Sequence, residues 1–239
     1  MKWLDLTCST PDQNLACDEV YLELCEAGMD EEILRFWEPD RYFVVLGSSN
    51  RVATEVNLEF CQRSNIPVLR RPSGGGTVLQ GPGVLNFSLL LRIDSSGPTR
   101  TISGTNCAVM TRHREALQPL LHHAVKIQGH IDLTLEGLKF SGNAQRRKQR
   151  FLLFHGTFLL GLDFAMVEQC LHLPSKRPDY RRDRPHRDFL TNLNLPAGRV
   201  KETLRRAWKA EEKLEEIPAD KIERLAAEVY SKREWTFRF

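Results

Sequence analysis

No cysteine pair in this chain is spaced for a metal, and no apolar run is long. The six cysteines, Cys8, Cys17, Cys25, Cys61, Cys107 and Cys170, are scattered, and none stands in a C-x-x-C pair. That spacing argues against a zinc or iron–sulfur centre. The longest apolar stretch, residues 84–93, is interrupted by Asn86, Ser88 and Arg92. It falls well short of the roughly 18–20 residues a membrane span needs. Met1-Lys2-Trp3-Leu4-Asp5-Leu6 has neither the apolar core nor the cleavage site of a secretory signal. A cytoplasmic protein with reduced thiols and no membrane partner is the expectation. Charge of one sign is scarce too: 34 Lys and Arg against 31 Asp and Glu leave +3, too little to imply nucleic acid. The basic runs carry no interleaved aromatics, which also speaks against RNA.

What is present supports an ordinary core: 41% hydrophobic residues, with 12 Phe and 4 Trp in 239 residues. Thr10-Pro11-Asp12-Gln13 predicts a helix start, with Thr10 as N-cap and Pro11 at the first helical position. Ala16, Val20, Leu24 and Ala27 recur at helical spacing, and Gly28 predicts the stop. Strands are predicted at 33–37, 42–46 and 66–71, with Asn57 capping a short helix between the last two. Leu85, Phe87, Leu89, Leu91 and Ile93 alternate with Asn86, Ser88, Leu90 and Arg92. That pattern predicts a strand with one face in the core. A long helix over 103–122 and strands at 132–136, 139–145 and 151–160 follow. Helices at 164–171, 199–213 and 219–231 complete the reading, with a Pro- and Arg-rich loop at 174–188. Strands mixed with separate helices, without repeats or a clean linker, predict one α+β domain.

Three segments carry chemistry. Arg70-Arg71-Pro72-Ser73-Gly74-Gly75-Gly76 lies between two predicted strands. Consecutive glycines let backbone N–H groups converge on an anion, although a lone triple glycine also reads as a flexible turn. No Gly-Lys-Ser/Thr follows, so it is not a Walker loop. Lys139, in Leu138-Lys139-Phe140-Ser141-Gly142-Asn143-Ala144-Gln145, is a lysine amid apolar strand residues. It must reach water or meet an anion. His155-Gly156-Thr157 follows the apolar run 151–154, and Gly156 permits close backbone approach. His155 reads equally as a buried structural histidine. No carboxylate lies beside it in sequence, so it is not marked as a general base.

In order, these segments resemble the lipoate–protein ligase and octanoyltransferase family, which is related in fold to biotin protein ligases. The resemblance runs from about Asn14 to Trp235. It includes Asn14-Leu15-Ala16-Cys17-Asp18-Glu19, Leu34–Trp37, Val44–Gly47 and Glu55-Val56-Asn57. The Arg-Arg-x-x-Gly-Gly-Gly signature at 70–76, Asn86, Lys139 with its Ser-Gly-x-Ala tail, and His155-Gly156-Thr157 complete it. The resemblance implies a mixed, largely antiparallel sheet flanked by helices. It implies that residues 1–239 form a single catalytic domain without the C-terminal accessory domain of many ligases. It places Lys139 on the acyl carbonyl and α-phosphate, and Arg70, Ser73, Gly74, Gly75 and Gly76 along an acyl-adenylate pocket. Asn86 and His155 belong to the same implied site. Asp132 falls near the adenosine end, and Gly142, Ala144, Gly156 and Thr157 along the wall. Trp37 and Val78 are implied walls for the acyl chain. Ser48-Ser49-Asn50 departs from the family's Gly-x-x-Gln-Asn pattern.

The implied activity is ATP-dependent activation of lipoate or octanoate as acyl-AMP, with Mg2+ accompanying the ATP. Transfer to a lysine of a lipoyl carrier domain follows, of the E2 or H-protein kind, with a separate accessory-domain protein as a possible second partner. Two alternatives stay open. An octanoyl or lipoyl transferase needs a nucleophilic cysteine; the family's thioester cysteines have no counterpart here, leaving Cys107 and Cys170. A non-catalytic acyl- or nucleotide-binding homologue is the other. The basic residues of 146–150 and of 176–187 are expected to dock an acidic carrier or hold ATP phosphates.

Overall fold

A computed structural model describes residues 1–239. Strand β1 (Lys2–Asp5) leads to helix α1 (Pro11–Leu24). Thr10 has extended N-cap geometry, but its hydroxyl makes no cap bond. Asn14 turns back instead, donating to the carbonyls of Thr10 and Cys8 and accepting from Cys8 N. A wide turn, Cys25–Met29, ends the helical run at Gly28 (φ +117°), a conformation glycine adopts without a Cβ clash.

Strands β2 (Ile33–Trp37) and β3 (Phe43–Leu46) precede the short helices α2 (Val52–Glu55) and α3 (Leu58–Arg63). Asn57 caps α3, accepting from Phe60 N at 3.2 Å. β4 (Val68–Arg70) and β5 (Val78–Gln80) flank the triple glycine, and β6 (Val84–Arg92) is the long central strand. Helix α4 (Ile102–Leu117) stops short of the predicted 122. Pro119 has no N–H to continue the ladder, which tightens into a 3-10 turn at Gln118–Leu120. Four antiparallel strands follow: β7 (Val125–Gln128), β8 (Asp132–Leu135), β9 (Leu138–Arg147) and β10 (Phe151–Leu159). The rest comprises α5 (Phe164–Cys170), α6 (His186–Phe189), α7 (Ala197–Ala207), β11 (Glu212–Lys213), α8 (Ala219–Leu225) and α9 (Arg233–Thr236). The predicted helix over 199–213 thus gives its last residues to a strand.

The large sheet has the order β11-β1-β2-β6-β10-β9-β8-β7, and a three-stranded sheet has the order β4-β3-β5. Only the β11–β1, β1–β2 and β3–β4 pairs are parallel. This is the expected α+β class. One face of the large sheet packs on α4 and α7 through Leu85, Phe87, Phe154 and Phe158 against Val109, Met110, Val200 and Leu204. Phe87 stacks on Phe158 at 5.1 Å and on Phe154 at 6.4 Å. Truncating it to Ala would cost about 3–5 kcal/mol. The other face meets α1, the small sheet and α8 through Leu15, Val20, Tyr21, Phe43, Leu69, Leu90 and Ile222. β6 is therefore buried on both faces, not on one as its alternation predicted. Its polar residues Asn86 and Ser88 point into the second layer, where they meet polar partners.

Candidate functional site

Cross-strand register assembles the site on the face that carries Asn86 and Ser88. Trp37, Asn86, Thr157 and Gly142 are aligned across β2, β6, β10 and β9. Arg35, Ser88, His155 and Ala144 form the next row. Residues directly opposite in a sheet share a face, so positions far apart in sequence become neighbours. Asn86 exchanges two amide hydrogen bonds with Gln80, at 2.8 and 2.9 Å. Trp37 is buried, stacks with Phe43 at 6.4 Å and leaves its indole N–H without a partner. Val78 is half-buried beside the same cluster.

The triple glycine folds back over these rows. Gly75 has φ +89°, and a Cβ built there would touch the Ala144 methyl at 3.7 Å. Gly74 and Gly76 have nothing within 4 Å of a built Cβ, so packing does not demand glycine at either. They leave backbone exposed beside open space. Arg71 is the strut of the bend: it donates to the carbonyls of Gly74 (2.7 Å) and Gly76 (2.8 Å) and to Ser73 Oγ (3.1 Å). Burial without a carboxylate partner brings its pKa down to about 10. A buried cation bonded only to neutral groups favours a negative charge nearby. Arg70, expected along the pocket, is fully buried and bonds outward to the carbonyls of Gly47, Asn50 and Thr236 at 2.6–2.9 Å. It ties the bend to α9, with four of its five N–H groups bonded to those carbonyls. A Cβ on Gly47 would overlap Gly75 O and Asn50 Oδ1.

His155 acquires the partners its sequence neighbourhood lacks. Its Nε2 lies 2.6 Å from Ser73 Oγ, and its Nδ1 is 3.9 Å from Asp18 Oδ2. Burial keeps the ring neutral; with its proton on Nδ1, the nitrogen facing Asp18, Nε2 is left to accept from the Ser73 hydroxyl, whose oxygen accepts from Arg71 Nε. Burial holds the His155 pKa near 4, aided by Arg71 and opposed by Asp18. Asp18 is fixed in turn by Arg35 Nη1 and Ser88 Oγ, each at 2.6 Å.

Beyond Gly142, Lys139 Nζ pairs with Asp132 Oδ1 at 2.7 Å, with 26% and 11% of their side chains exposed. A Cβ on Gly142 would stand 2.9 Å from that ammonium, so glycine is what admits the lysine here. Gly142 and Ala144 are two residues apart on one strand, roughly 7 Å. The ammonium and the bend therefore abut neighbouring positions of one face. Gly156 is required by Asn143, whose Oδ1 would overlap a Cβ there. Asp132 also accepts from the Tyr180 hydroxyl at 2.7 Å. Tyr180 borders a cavity of about 310 Å³ lined by Gln128, Gly137, Arg182 and Arg184 as well.

The basic turn 146–150, expected to dock an acidic carrier or hold phosphates, has its charges partnered within the chain. Arg146 pairs with Glu19, Lys148 with Glu23 and Arg150 with Asp30, while Arg147 donates to the carbonyls of Thr99 and Arg100. In the later loop, Arg177 pairs with Asp183 and Arg187 with Glu168. Cys170 is buried against Cys61. Cys107 is exposed on α4, whose apolar side covers the opposite sheet face. Asp18, Arg71, Gly47 and Tyr180 went unassigned from sequence; the first three lie in segments already noted, but only tertiary contact gives them roles.

Comparison with known proteins accords with this geometry. The chain is 32% identical to lipoate–protein ligase 1 of Staphylococcus aureus over 167 residues, 70% of this chain and about half (48%) of that protein. It is 24% identical to the octanoyltransferase LipM of Brevibacillus brevis over 212 residues, 80% of this chain and 76% of the relative. The bi-partite lipoate protein ligase of Thermoplasma acidophilum, studied with its E2 lipoyl domain, superposes with a TM-score of 0.83 at 23% identity, covering 99% of this chain and 95% of that one. A lipoate–protein ligase A bound with ATP gives 0.82 at 23% identity, covering 99% and 98%. At that identity the structural likeness is one of fold. The family model of the lipoyl protein ligase A/B catalytic domain matches residues 10–208, and the protein belongs to that family.

Proposed function

We propose that the protein is an ATP-dependent lipoate–protein ligase that activates lipoate, or octanoate, as acyl-AMP and passes the acyl group to a carrier lysine. The observation that carries this reading is the Lys139 ammonium lying against Gly142, next to the position where the glycine bend touches Ala144. A lysine there can meet the acyl carbonyl and the α-phosphate together. In the first step the acid's carboxylate oxygen attacks the α-phosphorus, and the bond to the β-phosphate bridge breaks, releasing pyrophosphate. In the second the neutral carrier amine attacks the acyl carbonyl, AMP leaves, and the new amide nitrogen loses a proton. Both steps place negative charge on oxygens within reach of Lys139, while Asp132 orients the ammonium before substrate arrives. The backbone N–H groups of Gly74–Gly76, which donate to no backbone carbonyl, and the unpaired charge of Arg71 beneath them are available to the same phosphate. The acyl chain runs toward Trp37, along Thr157 and Asn86, with Val78 beside it.

Magnesium enters with the nucleotide. No cluster of three His, Cys, Asp or Glu side chains is built to hold a metal, and Asp132 is the carboxylate nearest the ammonium. That donor set fits an ion bound largely by substrate phosphates, offsetting their charge. The carrier is a lipoyl domain, and the bi-partite archaeal ligase supports a separate accessory polypeptide as a further partner. A cytoplasmic setting goes with ATP-dependent chemistry. The thioester route of LipM-like relatives is disfavoured because neither Cys107 nor Cys170 belongs to the site's contacts.

The test incubates the protein with ATP, magnesium and lipoate or octanoate, with and without an accessory subunit, and looks for acyl-AMP by mass spectrometry. Acyl-AMP should form, fall by roughly 10²-fold or more in Lys139→Met, and persist in Cys107→Ser and Cys170→Ser. Octanoyl transfer from an acyl thioester that needs one of those cysteines, with no acyl-AMP, would replace the ligase by the transferase.

A further inference from the structure

Two donors converge on the buried Asp132 carboxylate. Lys139 Nζ donates to Oδ1 and the Tyr180 hydroxyl to Oδ2, each at 2.7 Å. Tyr180 comes from outside the sheet, on the 3-10 turn Asp179–Arg181 of the Pro- and Arg-rich loop. Its ring is held in place. It lies 5.3 Å from the buried Phe189 ring, and a Cβ on Gly129 (φ +57°) would touch it at 3.5 Å. Its backbone is held too. Arg184 Nη2 donates to Tyr180 O at 3.0 Å and, at 3.1 Å, to Gly137 O in the turn between β8 and β9. Arg181 and Arg184 exchange Nε–H bonds to each other's carbonyls at 2.9 and 3.0 Å, and both guanidinium groups lie over Phe189. The loop is thereby stapled to the hairpin that carries Asp132 and Lys139.

We propose that Tyr180 is a positioning residue for adenylation, acting on Lys139 through Asp132. Its consequence for catalysis rests on the ligase reading; its effect on the lysine rests on the geometry alone. An aspartate held at one oxygen turns easily about its terminal torsion. Held at both, Asp132 presents Oδ1 in one direction, and the ammonium on it is aimed along Gly142. The phenol also draws on the carboxylate's charge. Asp132 therefore steadies the lysine without saturating it, and substrate oxygens can compete for the ammonium.

Burial, and then the neighbouring Asp132 charge, push the Tyr180 hydroxyl well above its ordinary range. It stays protonated, so the donor is present at any pH at which the reaction is assayed. Tyr180→Phe keeps the ring against Phe189 and Gly129 and removes only the hydroxyl. A hydrogen bond to a charged group is lost, and kcat for acyl-AMP formation should fall roughly tenfold. KM for the acid should stay unchanged, because a lysine that meets its charge in the transition state affects kcat and not ground-state binding.

The test reads the lysine directly as well as the rate. The folded protein, without substrate, is treated with limiting acetic anhydride. Acetylation of Lys139 is measured by mass spectrometry against that of Lys221, which is exposed on α8. Tyr180→Phe should raise this ratio several-fold, as the ammonium loosens from Asp132. Asp132→Ala should raise it at least as much, and adding Tyr180→Phe to Asp132→Ala should change nothing further. Pyrophosphate release then gives kcat and KM for the same variants. An unchanged ratio in Tyr180→Phe, an equal rise in the Asp132→Ala background, or a raised acid KM with unaltered kcat would each overturn the proposal. Should the unaltered protein make no acyl-AMP, the ligase reading falls, and the acetylation ratios alone decide whether Tyr180 governs Lys139.

Discussion

Replacing His155 by Phe would leave the Ser73 hydroxyl buried without its acceptor. In the intact protein that hydroxyl donates to His155 Nε2 at 2.6 Å and accepts from Arg71 Nε at 3.1 Å. Leaving a buried donor unpaired costs about 1–3 kcal/mol. Ser73 anchors the glycine bend, so much of that energy should emerge as lost geometry where the acyl-adenylate forms. Taken entirely on the reaction barrier, it corresponds to a fall of roughly 5- to 150-fold in kcat/KM for adenylation. Ser73→Ala removes the same pair and also the acceptor of Arg71 Nε, so it should be comparably slow. The informative variant is the double one. Arg71 Nε loses its acceptor in Ser73→Ala and in the double variant alike, so that loss cancels in the cycle, and Ser73→Ala/His155→Phe should be slowed by less than the two single effects combined. A coupling energy of about 1 kcal/mol or more is expected from the cycle. His155→Gln, whose carbonyl can accept the same proton, should recover most of the activity. Pyrophosphate release gives the rates, and urea titration separates folding from catalysis. Additive single effects, with no recovery in the glutamine variant, would mean that His155 does not hold the bend.

Acid should destabilise the protein through two buried imidazoles. Burial depresses His155 to about 4 and His113 to about 3, against about 6.5 unfolded. Their stabilising effect is complete above pH 6.5 and is lost as pH falls toward the folded values. Between pH 7 and 5 each should remove about 2 kcal/mol, and urea unfolding of His113→Gln should show a shallower dependence. Gly47→Ala should abolish adenylation and lower Tm, because the added methyl overlaps Gly75 O and Asn50 Oδ1; wild-type kinetics in this variant would show that the bend tolerates displacement. Arg150→Glu should lower stability, by breaking contacts to Asp30 and to Glu26 O, while leaving the carrier KM unchanged. A raised carrier KM with unaltered stability would restore this turn as a docking surface.

Local signals located most of the elements. The Asn57 cap, Gly28 stop and apolar runs of β2, β6 and β10 each depend on residues adjacent in sequence. The strands absent from the sequence reading are short and get their definition from partners. β1 holds against β2 and β11, and β7 closes the far edge against β8. None has the length for a period-2 pattern to stand out. The alternation in β6 was real, but its polar side faces a second layer, not water. Hydropathy alone cannot distinguish the two, because a satisfied buried Asn reads like an exposed one. Ser88 and Asn86 are kept inside by Asp18 and Gln80, one on α1 and the other on a strand of the small sheet.

The site divides along the same line. Its glycines were visible because consecutive or strand-embedded glycine is locally unusual, yet only contact explains why each is needed. Gly75 requires a positive φ, Gly142 admits the Lys139 ammonium, and Gly156 accommodates the Asn143 side chain. The two arginines of the signature were legible as charge and illegible as architecture. Adjacent strand residues point to opposite sides, so Arg71 folds inward to brace the bend while Arg70 turns outward to α9. Placing Arg70 on the pocket and leaving Arg71 without a role was the reverse of what their contacts give. The pairings of the carboxylates were lost in the converse way: Asp18 had no assigned role, and Asp132 was placed in the site but not beside Lys139. Asp18 stands 137 positions before His155, the difference of their residue numbers, and only the packing of α1 on the sheet brings it within 3.9 Å. Asp132 and Lys139 meet because β8 and β9 form a hairpin with a register shift beside Thr134. A histidine without a nearby acid in sequence is therefore weak evidence against a charge partner in any protein where a helix crosses the face of a sheet.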